Sequence, residues 1–330
     1  MKSAILPLVL VLLGSTVSLT SCLGKSDKQQ KVSVDSISAE VEFNADTAFA
    51  YVERQVAFGP RVPGTEASEA CARMIEDELR RHGAKDVKVQ RGEVTAFNDT
   101  RLPVANVMGA FVPEARKRVL LVARYDTSPW ADNDDDPSVR SMPIPGANDG
   151  ASGVAVLLEM ARQLGKKAPG VGVDMLFVDA EDYGQSSGFS HHDESWALGT
   201  QYWTLNMPYA PDSLPQYAIV LDMVGGMGAK FHREYFSNEY AGDVVDKVWG
   251  IAARSGLGHR FPNEAGGAVI DDHVYVSRAG IPAIDIIESR NDSTNSFNPT
   301  WHTMADDINA IDKSTLKAVG QVVLNVLYSE

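Results

Sequence analysis

Three short apolar runs in this chain each end in carboxylates, and no other feature constrains the fold as much. "RVLLVARY" leads to Asp126, "MLFV" to Asp179, Glu181 and Asp182, and "YAIVL" to Asp222. Short apolar runs of this kind read as buried strands. Between and after them lie stretches of helical spacing at residues 150–164, 239–255 and about 312–328, with a further strand-like run at 283–287. Upstream, Asp46 precedes "TAFAYVERQVAF" and Thr65 precedes "EASEACARMIEDELRRHG", each read as a capped amphipathic helix, the second closed by Gly83. Strand-like runs follow at 87–94, 104–111 and 119–123, and again at 171–178. Strands alternating with helices predict an α/β fold: a single domain whose central, mainly parallel mixed β-sheet is flanked by helices on both faces. Ligand sites in such sheets lie beyond the carboxyl ends of the strands, which is where these acids sit.

The chain has 330 residues, 44% hydrophobic and 22% charged, with no linker or repeat dividing it. The start reads differently from the rest. Lys2 precedes "AILPLVLVLLG", an apolar stretch too short to span a bilayer, and small residues end at Cys22. That is the pattern of a secretory signal, and "LTSC" resembles the bacterial lipobox, whose cysteine is acylated. The expected organisation is a signal peptide at 1–21, a lipidated, flexible tether at 22–42 and a catalytic domain at 43–330, giving an exported lipoprotein anchored to a membrane and facing the periplasm. Cys71 is then left alone, so a metal site would have to be built from histidine and carboxylates. The formal net charge is −14, and −15 once Lys2 leaves with the signal, which argues against nucleic acid and against electrostatic adsorption to anionic lipid. Membrane attachment would come from the lipid anchor only.

Convergent carboxylates without a matching run of Lys or Arg are what a divalent cation requires. Beside the strand ends, "ANDGASG" opens a helix with Asp149 at its mouth, and "TWHT" carries His302 next to Trp301. Asn-Asp-Gly is also a common turn, and His302 alone could be a surface histidine. His82, His191, His192, His232 and His259 sit at a helix end, in a polar loop or without acidic context. The acidic run at 132–136 lacks the pattern of a calcium loop and reads as solvated. Trp196 and Trp203, at helical spacing, read as core.

"ANDGASG", "FVDAEDYG", "LDMVG", "IDDH" and "WHTMADD" occur in the order, and at about the spacing, of the zinc aminopeptidase-like fold. Together with "FGPRVPGT" they make the chain resemble the glutaminyl cyclases, or glutaminyl-peptide cyclotransferases, from about residue 44 to the end. The resemblance implies one zinc per chain bound by Asp149, Asp182 and His302, with Glu181 as general acid/base, Asp222 and Asp271 as supporting aspartates and Trp301 beside the metal. It also implies an acyltransferase acting on peptides and proteins with N-terminal glutamine. The family commonly has glutamate at the position of Asp182. His273 in "IDDH" reads as orienting a neighbour and not as a ligand.

One departure separates close relatives. Two-zinc aminopeptidases of this fold carry a histidine two residues before the strand-end aspartate; here that residue is Arg124, which keeps its charge and has no lone pair to offer. The second metal site is therefore expected to be absent. A zinc aminopeptidase and a non-catalytic peptide-binding lipoprotein stand as the alternatives, and an oxygen-rich site with one histidine can accept other divalent ions.

Overall fold

The computed structural model describes residues 39–185 and 193–330. The expected signal segment, Cys22, most of the expected tether, His191 and His192 lie outside the described residues. Six strands form one mixed sheet: β1 (Lys85–Thr95), β2 (Arg101–Phe111), β3 (Arg118–Arg124), β4 (Gly172–Val178), β5 (Tyr217–Leu221) and β6 (Ala283–Ile286). Their order is β1-β2-β4-β3-β5-β6. β2 runs antiparallel to both β1 and β4, whereas β4, β3, β5 and β6 run parallel to one another.

The parallel strands read as unbroken apolar runs because both faces are covered. On β3, Val119, Leu121 and Ala123 join one core with helices α1 (Ala45–Val56), α2 (Glu66–Arg81), α3 (Ala151–Lys166), α5 (Tyr235–Arg254) and α7 (Lys313–Tyr328). Leu120 and Val122 point the other way, to Trp203 of α4 (Leu198–Thr204) and Val276 of α6 (Asp272–Arg278). Leu120 and Leu121 are both fully buried. Each contributes about 1.5–3 kcal/mol from removal of its side chain from water, so a polar residue on either face of β3 would disrupt a core.

Helix starts show how local chemistry sets the boundaries. Thr65 caps α2 by accepting from Ser68 N, and Gly83 turns the chain out in left-handed geometry, with φ +85°. The first helix begins earlier than Asp46 implied. Asn44 is its cap, accepting from Thr47 N at 2.9 Å, and Asp46 sits in the first turn, paired with Lys313 at 2.8 Å. α5 also starts before the expected residue 239, because Glu234 caps it through Phe236 N and Ser237 N, and Ala241 interrupts its helical geometry. α6 escapes a periodicity reading since "DHVYVSR" is short and rich in β-branched residues.

The end of the expected tether is docked. Gln321 of α7 accepts from Phe43 N at 3.0 Å and donates to Val41 O at 2.9 Å, and the Phe43 ring lies where a side chain on Gly320 would have to be. Among the described residues, no helix is long and apolar enough to cross a membrane.

Candidate active site

The carboxyl ends of β3, β4 and β5 meet the amino end of α3, and glycine makes the approach possible. A Cβ on Gly150 would collide with Asp126 O, and one on Gly153 with Leu221 O; Gly150 also has φ +110°. "NDGASG" thus lays the first turn of α3 directly on two strand ends. Arg61, fully buried, ties the preceding turn down by donating to Pro145 O and Gly146 O, each at 2.6 Å.

Two carboxylates hold the backbone of this region. Asp126 accepts from Glu181 N at 3.2 Å and Asp182 N at 3.0 Å. Asp306 accepts from Asn148 N at 2.9 Å and Asp149 N at 3.0 Å. Burial pushes the Asp126 carboxyl up to about 6 and that of Asp306 to about 7, with backbone N–H groups acting in the opposite direction. Asp179 turns away from the site and accepts from Ala105 N and Ala180 N; burial and the nearby Asp126 push it up to about 8. Ala180, Met223 and His302 all adopt left-handed φ, between 49° and 55°. Such strain costs about 1–3 kcal/mol per residue and concentrates at sites the surrounding structure has to fix.

Asp149, Asp182 and His302 come together with one ligand atom each inside 4.8 Å, all of them buried. His302 Nε2 is 3.1 Å from Asp182 Oδ1 and 3.8 Å from Asp149 Oδ2, and its Nδ1 is 2.7 Å from Asp132 Oδ1. Neither oxygen of Asp149 has a hydrogen-bond partner. Two carboxylates and an imidazole whose far nitrogen rests on an outer carboxylate form a donor set that fits a divalent cation such as zinc. Burial would lower His302, but Asp182 and Asp132 outweigh it and push the ring to about 9; a cation bound through Nε2 would displace that proton. The reading of residues 132–136 as a solvated loop needs correction. Asp132 orients His302 and Asp134 accepts from Met304 N at 2.8 Å, so the run buttresses the histidine loop.

Arg124, the last residue of β3, is 3% exposed and lies amid four carboxylates. Nε is 3.1 Å from Glu181 and 3.0 Å from Asp222, Nη1 is 3.4 Å from Asp182, and Nη2 pairs with Asp149. Burial opposes its charge, yet these acids hold the guanidinium well above its ordinary value. Burial raises Glu181 well above the usual carboxylate range and Asp222 to about 7; Arg124 works against both shifts, and Asp271 reinforces them.

These residues border a cavity of about 330 Å³ lined by Arg124, Glu181, Asp182, Asp222, Asp271 and Trp301, with apolar walls from Met223, Val269, Ile270, Ile287 and Phe297. Trp301 stacks on His302 with ring centres 4.1 Å apart, and Phe297 backs it at 4.6 Å. Trp203 is core, but Trp196 lines this cavity, 6.4 Å from the His302 ring, so its expected place in the core is corrected. A larger cleft of about 830 Å³ lies at the amino ends of β3 and β4, around Arg118, Asp174 and Tyr209, away from these acids. The sequence reading missed Asp306, Asp132, Arg61 and Trp196. Asp306 was within reach, as the first of the two aspartates in "WHTMADD".

A mixed sheet with a buried Asp-Asp-His set at its parallel strand ends defines a zinc aminopeptidase-like α/β fold. The chain belongs to peptidase family M28, whose sequence profile matches residues 106–327, and within it to the glutaminyl cyclases. It is 46% identical to a glutaminyl cyclase from Bacteroides thetaiotaomicron, solved with N-acetylhistamine bound, over 88% of this chain and 99% of that one, with a TM-score of 0.84. It is 49% identical to a Zn-dependent exopeptidase from Parabacteroides distasonis, over 88% and 99% of the two chains, with a TM-score of 0.83. Glutaminyl-peptide cyclotransferase from Bos taurus is 24% identical over 80% of this chain and 76% of its own.

Proposed function

We propose that the protein cyclises the N-terminal glutamine of peptides and proteins to pyroglutamate with release of ammonia, using one zinc ion held by Asp149, Asp182 and His302. The observation that carries this reading is Arg124. A two-metal aminopeptidase centre of this fold needs a neutral imidazole there, and the guanidinium instead pairs with Asp149, Glu181, Asp182 and Asp222. Hydrolysis needs an activated water, which paired metals generate well. Cyclisation carries its nucleophile within the substrate, and a well-oriented intramolecular attack accounts for about 7–11 kcal/mol of the barrier.

When bound, the zinc supplies Lewis acidity toward the γ-carbonyl oxygen of the glutamine. Glu181, on the cavity wall, accepts a proton as the α-amine nitrogen bonds to the γ-carbon. It returns that proton to the departing amide nitrogen, the carbon–nitrogen bond breaks, and ammonia leaves behind a five-membered lactam. Asp222, fixed by Arg124, and Asp271, whose Oδ2 has no hydrogen-bond partner, take the N–H groups of the amine and amide. Trp301 and Ile270 enclose the side chain and exclude water. Export and attachment through an acylated Cys22 complete the proposal, resting on the leader and "LTSC".

The test is mass spectrometry of a glutamine-led peptide incubated with the zinc-loaded protein. Loss of ammonia from an otherwise intact peptide supports cyclisation; release of free glutamine would establish an aminopeptidase and defeat the argument from Arg124.

A further inference from the structure

Phe297 and Trp301, two of the apolar residues on the cavity wall, belong to a loop in which residues 292–296 are all exposed, so something other than burial must hold it. A deep attachment is Glu288, 2% exposed, which directly follows the cavity residue Ile287. One oxygen of its carboxylate accepts from Asn291 Nδ2 at 2.9 Å, and the other accepts from Asn298 Nδ2 at 3.0 Å. Burial raises the Glu288 carboxyl above its ordinary value, and both amides act in the opposite direction.

Neither amide is free to turn round. Asn291 Oδ1 accepts from Ser293 N at 2.9 Å and Ser293 Oγ at 2.6 Å, and Asn298 Oδ1 accepts from Thr300 N at 3.1 Å and Thr300 Oγ1 at 2.9 Å. With both side-chain oxygens occupied, the NH₂ groups have to face Glu288. From Asn298 the order passes straight to the wall: its carbonyl oxygen accepts from Trp301 N at 2.9 Å, and Phe297 packs on Trp301 with ring centres 4.6 Å apart. A Cβ on Gly226 would lie 2.8 Å from Asn298 Nδ2 and 3.4 Å from both Asn148 Nδ2 and Glu288 Oε2, so the loop rests on backbone beside the turn that carries Asp149. His302, next in the chain after Trp301, has its own hold in Asp132.

We propose that Glu288 is a positioning residue: through Asn298 it sets the Phe297–Trp301 wall, and with it how tightly the cavity grips the first residue of a peptide. The inference rests on the proposed function only in that the cavity takes a peptide N-terminus, and it holds for cyclisation or hydrolysis alike. Glutamine at position 288 keeps the shape but turns one acceptor into a donor aimed at an amide NH₂. The wall then shifts while Asp132 keeps His302 in place. Binding shared by substrate and transition state is lost, which raises KM with little change in kcat.

The experiment is steady-state kinetics of the zinc-loaded full chain on a glutamine-led peptide. Glu288→Gln should raise KM about tenfold, with kcat within about threefold of the wild type and zinc content unchanged. Adding Asn298→Asp reverses the hydrogen bond, the new amide donating to the new carboxylate while Thr300 keeps its acceptor, and should return KM to within about threefold of the wild type. KM and kcat of Glu288→Gln both within about twofold of the wild type would overturn the proposal, as would a fall in kcat alone or a double variant no better than the single one. If the wild type releases free glutamine, the cyclase reading fails and the same comparison is read on that release. Should Glu288→Gln not fold by circular dichroism, Asn298→Ala breaks the same link from the loop side: a raised KM supports the role, and an unchanged KM removes it.

Discussion

Asp306→Asn tests how the turn at the proposed zinc site is held. The fully buried Asp306 carboxylate accepts from Asn148 N and Asp149 N, one oxygen to each. Asparagine keeps the shape but only one acceptor, so its amide NH₂ must face a backbone N–H. A bond to a charged acceptor contributes about 1.5–3 kcal/mol, and a buried donor left unpaired costs about 1–3 kcal/mol. Burial already raises the Asp306 carboxyl to about 7, and relief of that buried charge offsets part of the loss. A net destabilisation of about 2 kcal/mol follows, or roughly 4–8 °C in Tm for a domain of this size. Because Asp149 N is one of the two donors, the turn that presents Asp149 should also shift and weaken zinc affinity about 10–100-fold, as loss of outer-shell partners does. Urea unfolding and zinc competition against a chelator measure the two effects, with exposed Asp135→Asn as the control. Asp306→Asn within about 0.5 kcal/mol of that control, with unchanged zinc affinity, would refute the claim that this carboxylate holds the turn.

The remaining predictions concern charge, chemistry and attachment. Arg124→Met strips the cation from Asp149, Glu181, Asp182 and Asp222 and should destabilise the zinc-free protein by about 3–5 kcal/mol in denaturant unfolding at neutral pH; a loss below about 1 kcal/mol would mean the acids are already neutral without it. Glu181→Gln should abolish turnover while the zinc content stays that of the wild type, and retained activity would take Glu181 out of the mechanism. Cys22→Ser should move the protein from the membrane to the soluble fraction and end labelling by a fatty-acid analogue. In the same variant Cys71, fully buried with its thiol pushed up to about 12 by that burial, should react with a thiol reagent only on unfolding; prompt labelling of the native protein would contradict its placement.

Much of the fold was legible because the parallel strands are covered on both faces. β5 matches its expected span of 217–221, and β3, β4 and α7 fall within two residues of theirs. The differences arise where a side chain far from any standard cap decides the start. Glu234 begins α5 through its carboxylate, and that same carboxylate also receives Val269 N and faces His273, contacts no local window contains. The antiparallel flank of β1 and β2 was legible as strands but not in direction, since a period-2 pattern carries no information about which neighbour a strand chooses.

Site residues divide along the same line. Asp126, Asp179, Glu181, Asp182 and Asp222 all follow apolar runs, and nothing local distinguishes them. Their partners do. Asp126 and Asp179 meet backbone N–H groups, Glu181 and Asp222 meet Arg124, and Asp182 meets both Arg124 and His302. Asp149 meets Arg124 by ion pairing alone, with no hydrogen bond to either of its buried oxygens. A cluster this acidic is stable only if each carboxylate has its own compensation, and in this group Arg124, His302 and the backbone supply nearly all of it. At Asp271 and Asp285 the compensation is a proton: burial, followed by the neighbouring Asp271 and Asp222, raises the Asp285 carboxyl well above the usual carboxylate range.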